Sequence, residues 1–225
     1  MVNYLTAGGE GFRKEWRVWD IVPSAATAPS PVLVLVFESP GRQELDAGLP
    51  VVGPTGERAL RFLLQQSTTA CALGRFIRYR YSLGDARVAV MNVCSVPLQA
   101  SAFDTDGAPQ FTNGRARAGW DLIAASRRHW ASRHKDTADA EVAVLSEVVR
   151  TEFQRRVENL RLAKAASIVP FGAVARRFAA GMDRVVNAEI QHPSPANGHW
   201  TKWVAADNEG AQLVKALFRG ATSEE

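Results

Sequence analysis

Val32-Leu-Val-Leu-Val-Phe-Glu-Ser-Pro-Gly41 is an apolar run that ends abruptly in a carboxylate, a hydroxyl and a Pro-Gly corner. Six successive apolar residues, Val32 to Phe37, suit a strand buried on both faces, as in a parallel sheet covered by helices. Glu38 and Ser39 then fall at its carboxyl end, the edge where open α/β sheets place their ligand crevices. Gly41 lets the backbone turn and approach a ligand closely, and Pro40 stiffens the corner. Taken alone, the stretch is equally well an ordinary strand and polar turn.

Working outward, the same grammar recurs. Arg87-Val-Ala-Val-Met-Asn-Val93 is a second apolar strand, closing on the amide of Asn92. Ser167-Ile-Val-Pro-Phe-Gly172 is a short third strand, and Val185 to Gln191 a fourth that ends in His192-Pro-Ser-Pro195. Helical patterns lie between them. Glu57 to Gln65 is a short helix, and Thr137 to Lys164 is the strongest, with Val142, Leu145, Val149, Phe153, Val157 and Leu160 forming one apolar core stripe. A helix begins near Ala173, and Asn208 to Phe218 is the last, with Leu213, Val214, Leu217 and Phe218 on its buried side.

The remaining segments are read less fully. Trp16 and Trp19, three apart, suit a helical face within residues 1–22, followed by a Pro-rich connector to residue 31. Arg42 to Gly56 carries three glycines and two prolines, a shaped loop rather than regular helix. Arg75 to Tyr81 is an edge strand or a loop. Residues 99–136 form a long basic insertion without strong periodicity, with six Arg or Lys between Arg115 and Lys135 against Asp121 alone. Such a run is usually a solvated face, but Trp120 and Trp130 keep nucleic-acid contact open, with Arg127 and Arg128 as contact candidates.

This alternation predicts an α/β protein, a parallel sheet sandwiched between helices in one domain. Right-handed crossovers place every strand's carboxyl end on one edge, which brings Glu38, Ser39, Asn92 and His192 to a common rim. Each has an innocent explanation, since an Asn after a strand commonly caps a helix. Together, an acid, an amide and an imidazole around one crevice can polarise a leaving group, read a planar polar ring and position a water.

Composition narrows the classes. With 225 residues, 46% of them hydrophobic, the chain can bury a substantial core. No apolar run approaches the roughly 20 residues of a membrane span, and the amino terminus lacks a signal-peptide pattern, so a soluble, cytoplasmic protein is expected. Cys71 and Cys94 are the only cysteines, too few for a disulfide framework or an all-cysteine metal site; no metal or cofactor is expected. The net charge is +4, and the pI near 9.4 leaves room for a polyanionic partner if the positive charge is clustered.

Glu38-Ser-Pro-Gly41, Gly48-Leu-Pro-Val-Val-Gly53 with Gly56, Asn92 at a strand end and His192-Pro-Ser-Pro195 together resemble the uracil-DNA glycosylase superfamily, most closely its thermophilic-type branches. The resemblance spans about residues 32 to 218 and implies a three-layer α/β/α sandwich around a four-stranded parallel sheet. It implies that Glu38 and Ser39 lie in the water-activating motif, that Pro40, Gly41 and Val51 line the base pocket, and that Asn92 reads the base. His192 matches the histidine that hydrogen-bonds the departing base, and Ser194 and Pro195 match a rigid loop that pinches DNA phosphates.

Five departures qualify what the resemblance implies. Phe37 replaces a usual glycine, Ser39 stands where some branches carry Asp or Asn, and Val51 replaces the phenylalanine on which uracil stacks. Ala196 replaces a common wedge leucine, leaving His199 and Trp200 as substitutes, and the cluster-binding cysteines of the thermophilic-type branches are missing. The expectation is a monomeric, monofunctional DNA glycosylase that hydrolyses the N-glycosidic bond of a flipped-out modified pyrimidine, such as hypermodified phage cytosine in antiviral defence. The alternatives are ordinary uracil removal in DNA repair, a degenerate module that binds DNA without cleaving it, and hydrolysis of a free nucleoside or nucleotide.

Overall fold

A computed structural model of the protein describes residues 17–23, 29–99, 102, 114–132, 140–194 and 198–223, without the side chains at 114–117, 119 and 120. Three parallel strands, β1 (Leu33–Phe37), β2 (Val88–Asn92) and β3 (Ser167–Pro170), form a sheet in the order β2-β1-β3. Among the described residues eight helices surround it: α1 (Arg42–Ala47), α2 (Pro54–Leu64), α3 (Leu73–Ser82), α4 (Gly114–Ala131), α5 (Ala140–Glu158), α6 (Gly172–Ala179), α7 (Gly198–Ala206) and α8 (Glu209–Thr222). The class is α/β, as the alternation predicts.

Every residue of β1 and β2 is buried because side chains alternate between two covered faces. Leu33, Leu35 and Phe37 point into a core with α2, α3 and α8, including Leu60, Leu63, Ile77 and Phe218. Val34 and Val36 point into a second core with α4, α5 and α6, including Ile123, Phe153 and Phe178. The α5 stripe is core, with Val142, Leu145, Val149, Phe153 and Val157 all buried. Among the described residues no helix is long and apolar enough to cross a membrane.

Among the described residues the sheet has three strands where four were expected. Val185 makes only an isolated parallel bridge to Ile168, whose N–H donates to Arg184 O (2.9 Å). The next amide on that side of β3 would belong to residue 170, a proline, which has none to give. Contact resumes at Gly172, whose N–H reaches Ile190 O (2.9 Å). The segment therefore follows the sheet edge without joining it as a strand.

Other expectations are corrected too. Residues 17–20 are not helical: Ile21 forms an antiparallel bridge with Val90 that occupies the free edge of β2, and Trp19 is 63% exposed. Trp16 lies outside the described residues. Arg75 to Tyr81, read as an edge strand or a loop, lies within the helix Leu73–Ser82, because Leu73 and Ile77 fall four apart on the core side. The 42–56 loop contains the short α1, and α2 starts at Pro54, a residue suited to a first helical turn. Within the basic insertion, α4 is a core helix burying Ile123, Ser126 and Trp130, so Trp130 is no platform for a base. On α8 the buried stripe runs through Ala211, Val214, Lys215, Phe218 and Ala221, leaving Leu213 largely outside it.

Candidate active site

The register of the sheet sets Phe37 beside Asn92 at adjoining strand ends. The chain after Ile190 brings His192 against the start of α6, where Gly172 has φ 90° and a Cβ would lie 2.8 Å from His192 Cβ. Only glycine tolerates both that backbone and that approach. These elements enclose a cavity of about 100 Å³. That is well below a drug-sized pocket of about 300 Å³, a size suited to one small ring.

Most of the residues singled out in the sequence meet there. Glu38, Ser39, Gly41, Val51, Asn92, His192 and Ser194 line the cavity, and Arg127 joins them from α4. Pro40 is buried behind the corner rather than on the lining. Arg128 and His199 are solvent-exposed. Trp200, expected as a DNA-contacting wedge, is 5% exposed and packs against Phe62 (5.2 Å) and Trp203 (5.2 Å), which makes it core. Pro195 lies outside the described residues.

Glu38 is ion-paired to Arg127, whose Nε donates to Oε1 and leaves Oε2 for another partner. His192 Nδ1 accepts from the Ser194 N–H (3.2 Å), a contact that fixes the tautomer in which Nε2 carries the proton. Burial holds the imidazole pKa below its ordinary 6.5, with the Glu38 charge opposing that shift and the Arg127 charge adding to it. His192 is thus a neutral donor at neutral pH.

Asn92 is 1% exposed; its side-chain oxygen and nitrogen make no hydrogen bond of good geometry, although the amide lies near the Glu44 carboxyl and acts to lower its pKa. The Ser39 hydroxyl is also buried and unpartnered. Leaving one such group unmade costs about 1–3 kcal/mol, so two polar groups without a well-formed hydrogen bond suit the cavity to a polar ligand. The backbone of Asn92, in contrast, is tightly held. Its N–H donates to Asp20 Oδ1 (3.1 Å), Arg156 Nη2 donates to its carbonyl (2.7 Å) and to that of Val93, and Arg156 Nη1 closes the ring on Asp20 Oδ2. Burial raises the Asp20 pKa, and Arg156 opposes the rise.

Glu44 was not anticipated, although Gly-x-x-Glu across a helix start is a readable capping signal. Its carboxylate accepts from the N–H of Gly41 (2.6 Å) and of Val51, and burial raises its pKa against those bonds and against the nearby Asn92 amide. Val51 sits at φ 56°, costly for a β-branched residue at about 1–3 kcal/mol. Glu44 holds its N–H, Gly74 donates to its carbonyl (3.0 Å), and a Cβ on Gly56 would lie 1.9 Å from that oxygen. Val51 offers no flat surface. Phe37 is the aromatic residue of the lining; it stacks on Phe171 (4.8 Å, 8°) and meets His192 edge-on (6.4 Å).

Among the described residues no three His, Cys, Asp or Glu side chains gather as a metal site. The buried Cys94 thiol is pushed up to about 12 by burial, which keeps it protonated. Compared with known proteins, the sequence matches no family model and no curated protein.

Proposed function

We propose that the protein is a monofunctional DNA glycosylase that hydrolyses the N-glycosidic bond of a flipped-out pyrimidine and leaves an abasic site. One observation carries this reading: the buried amide of Asn92, without a hydrogen bond of good geometry, lines the same small cavity as Glu38 and a neutral, Nε2-protonated His192. A carboxamide presents one donor and one acceptor side by side, the complement of a pyrimidine edge. Cleavage places negative charge on the departing base, and the Nε2–H of His192 donates to its carbonyl oxygen as that charge develops. Such a donor contributes roughly 3–4 kcal/mol. Glu38, held by Arg127 at one oxygen, orients a water with the other toward the sugar carbon.

The ring of Phe37 takes the stacking role that Val51 cannot. The cavity admits a single ring, so the substituent of a modified pyrimidine, such as a hypermodified phage cytosine, leaves it past Arg127, whose side chain is 32% exposed. Uracil fits the same cavity without that extension and is the runner-up.

The test is an abasic-site assay on uracil-containing DNA and on a panel of natural phage genomes with modified cytosine. Base release is expected from one of them. His192→Ala is expected to reduce it by about 10²–10³-fold, and Glu38→Gln to reduce it strongly. Absence of abasic sites on every DNA would remove the enzymatic reading and leave a binding module.

A further inference from the structure

Three surface depressions of similar size lie outside the cavity, and they differ in charge. One, of about 560 Å³, is bordered by Glu189 and Glu209. Another, also about 560 Å³, mixes Glu158 and Asp183 with Arg161 and Arg184. The third is a groove of about 570 Å³ between α2 and α7, and no Asp or Glu lines it. Arg58 and Arg61, three residues apart on one face of α2, stand on its wall. Both are half-buried, and neither is ion-paired among the described residues. The other cation, Lys215, is already paired with Asp207.

The groove adjoins the candidate active site. Arg58 Nη1 donates to the carbonyl of Ser194 (3.4 Å), and Ser194 lines the cavity. A polymer whose unit occupies the cavity therefore passes these two guanidinium groups as it leaves. The groove floor, Phe62 and Trp200, is buried edge to face and presents no open ring for stacking. Contact there is consequently with a charged backbone rather than with bases.

We infer that the α2–α7 groove binds the phosphodiester backbone of the strand that carries the target nucleotide, with Arg58 and Arg61 each neutralising one phosphate. The inference rests on the glycosylase reading for the identity of the polymer and extends it to the strand's path. Because phosphate contacts carry no base information, the groove contributes affinity that is independent of sequence.

The experiment measures binding of the full-length protein to fluorescein-labelled oligonucleotides, single-stranded and duplex, by fluorescence anisotropy between about 50 and 200 mM salt. Two lost phosphate contacts reduce the slope of log K against log salt by roughly 1.4 for a single strand and 1.8 for a duplex. That loss is expected for Arg58→Ala/Arg61→Ala and for Arg58→Gln/Arg61→Gln, which keeps the packing of the stems. Arg58→Lys/Arg61→Lys is expected to restore the slope, and Arg161→Ala in the mixed depression to leave it unchanged. An unchanged slope in both neutral double variants, or no oligonucleotide binding by the wild type, overturns the inference. Base release by the wild type alongside an unchanged slope rejects the groove and retains the glycosylase. A reduced slope without base release on any DNA retains the groove and rejects the glycosylase.

Discussion

Two arginine–carboxylate pairs flank the candidate cavity, and their surroundings set them apart. Arg156–Asp20 lies behind β2 with side chains 13% and 10% exposed, and both Nη atoms are engaged by Asp20 and the carbonyls of Asn92 and Val93. Arg127–Glu38 lies on the cavity itself at 32% and 13%, and Arg127 binds Glu38 through Nε alone. The first pair uses its hydrogen-bonding capacity on the backbone that carries Asn92. The second keeps capacity in reserve at the reacting side. The same chemical pair thus serves as scaffold in one place and as reagent in the other, and the number of committed donors tells them apart.

The sharpest way to break that contrast is Arg156→Ala. It strands a buried Asp20 carboxylate and frees two carbonyls, so a loss of roughly 3–5 kcal/mol is expected in chemical denaturation. A loss below 1 kcal/mol would mean the pair is no scaffold. Asn92→Ala should behave in the opposite way. It deletes a buried amide that makes no hydrogen bond of good geometry, so unfolding free energy is expected to hold or rise by up to about 1 kcal/mol while base release falls, the pattern of a residue kept for function. A destabilised Asn92→Ala would show instead that the amide has a structural partner.

Legibility in the sequence followed the same division. The strand ends that carry Glu38 and Asn92 were readable because a buried parallel strand is a local apolar run and the crossover rule fixes its direction, whereas His192 reaches the rim on a segment that only follows the sheet edge. The α5 stripe was readable because its period is local. Asp20 and Arg156 were not, since 136 positions separate them and neither has a neighbouring pattern. Arg127 was picked out only as part of a basic run; that it turns inward to Glu38 depends on how α4 packs. Trp200 was misplaced for a related reason, because an aromatic at a loop end points to solvent or core according to what α2 offers it, here Phe62. The missing fourth strand turns on Pro170, whose effect was visible in principle but whose ladder position depended on register.

Smaller effects distinguish the pairs more finely. Arg127→Ala removes a part-exposed partner, and its stability cost is expected to stay below about 1 kcal/mol, against the much larger loss at Arg156. Base release should nevertheless drop, because Glu38 loses the contact that orients it. Equal stability losses for the two arginine variants would erase the distinction between scaffold and reagent.

The smallest expected effect has opposite signs for the two members of the rim pair. The His192 pKa lies below 6.5 chiefly through burial, with Glu38 raising it and Arg127 lowering it. A depressed folded-state value means that the neutral ring contributes stability above pH 6.5, and that this contribution is lost as pH falls through the folded pKa. Following the His192 ring resonances by NMR makes the titration independent of activity. Glu38→Gln removes the raising influence and should move the midpoint down; Arg127→Ala removes the lowering influence and should move it up. Midpoints that moved together, or not at all, would place the rim charges too far from the imidazole to act on it. In that case Glu38 and Arg127 would have to be assigned to holding α4 against the sheet rather than to the reaction.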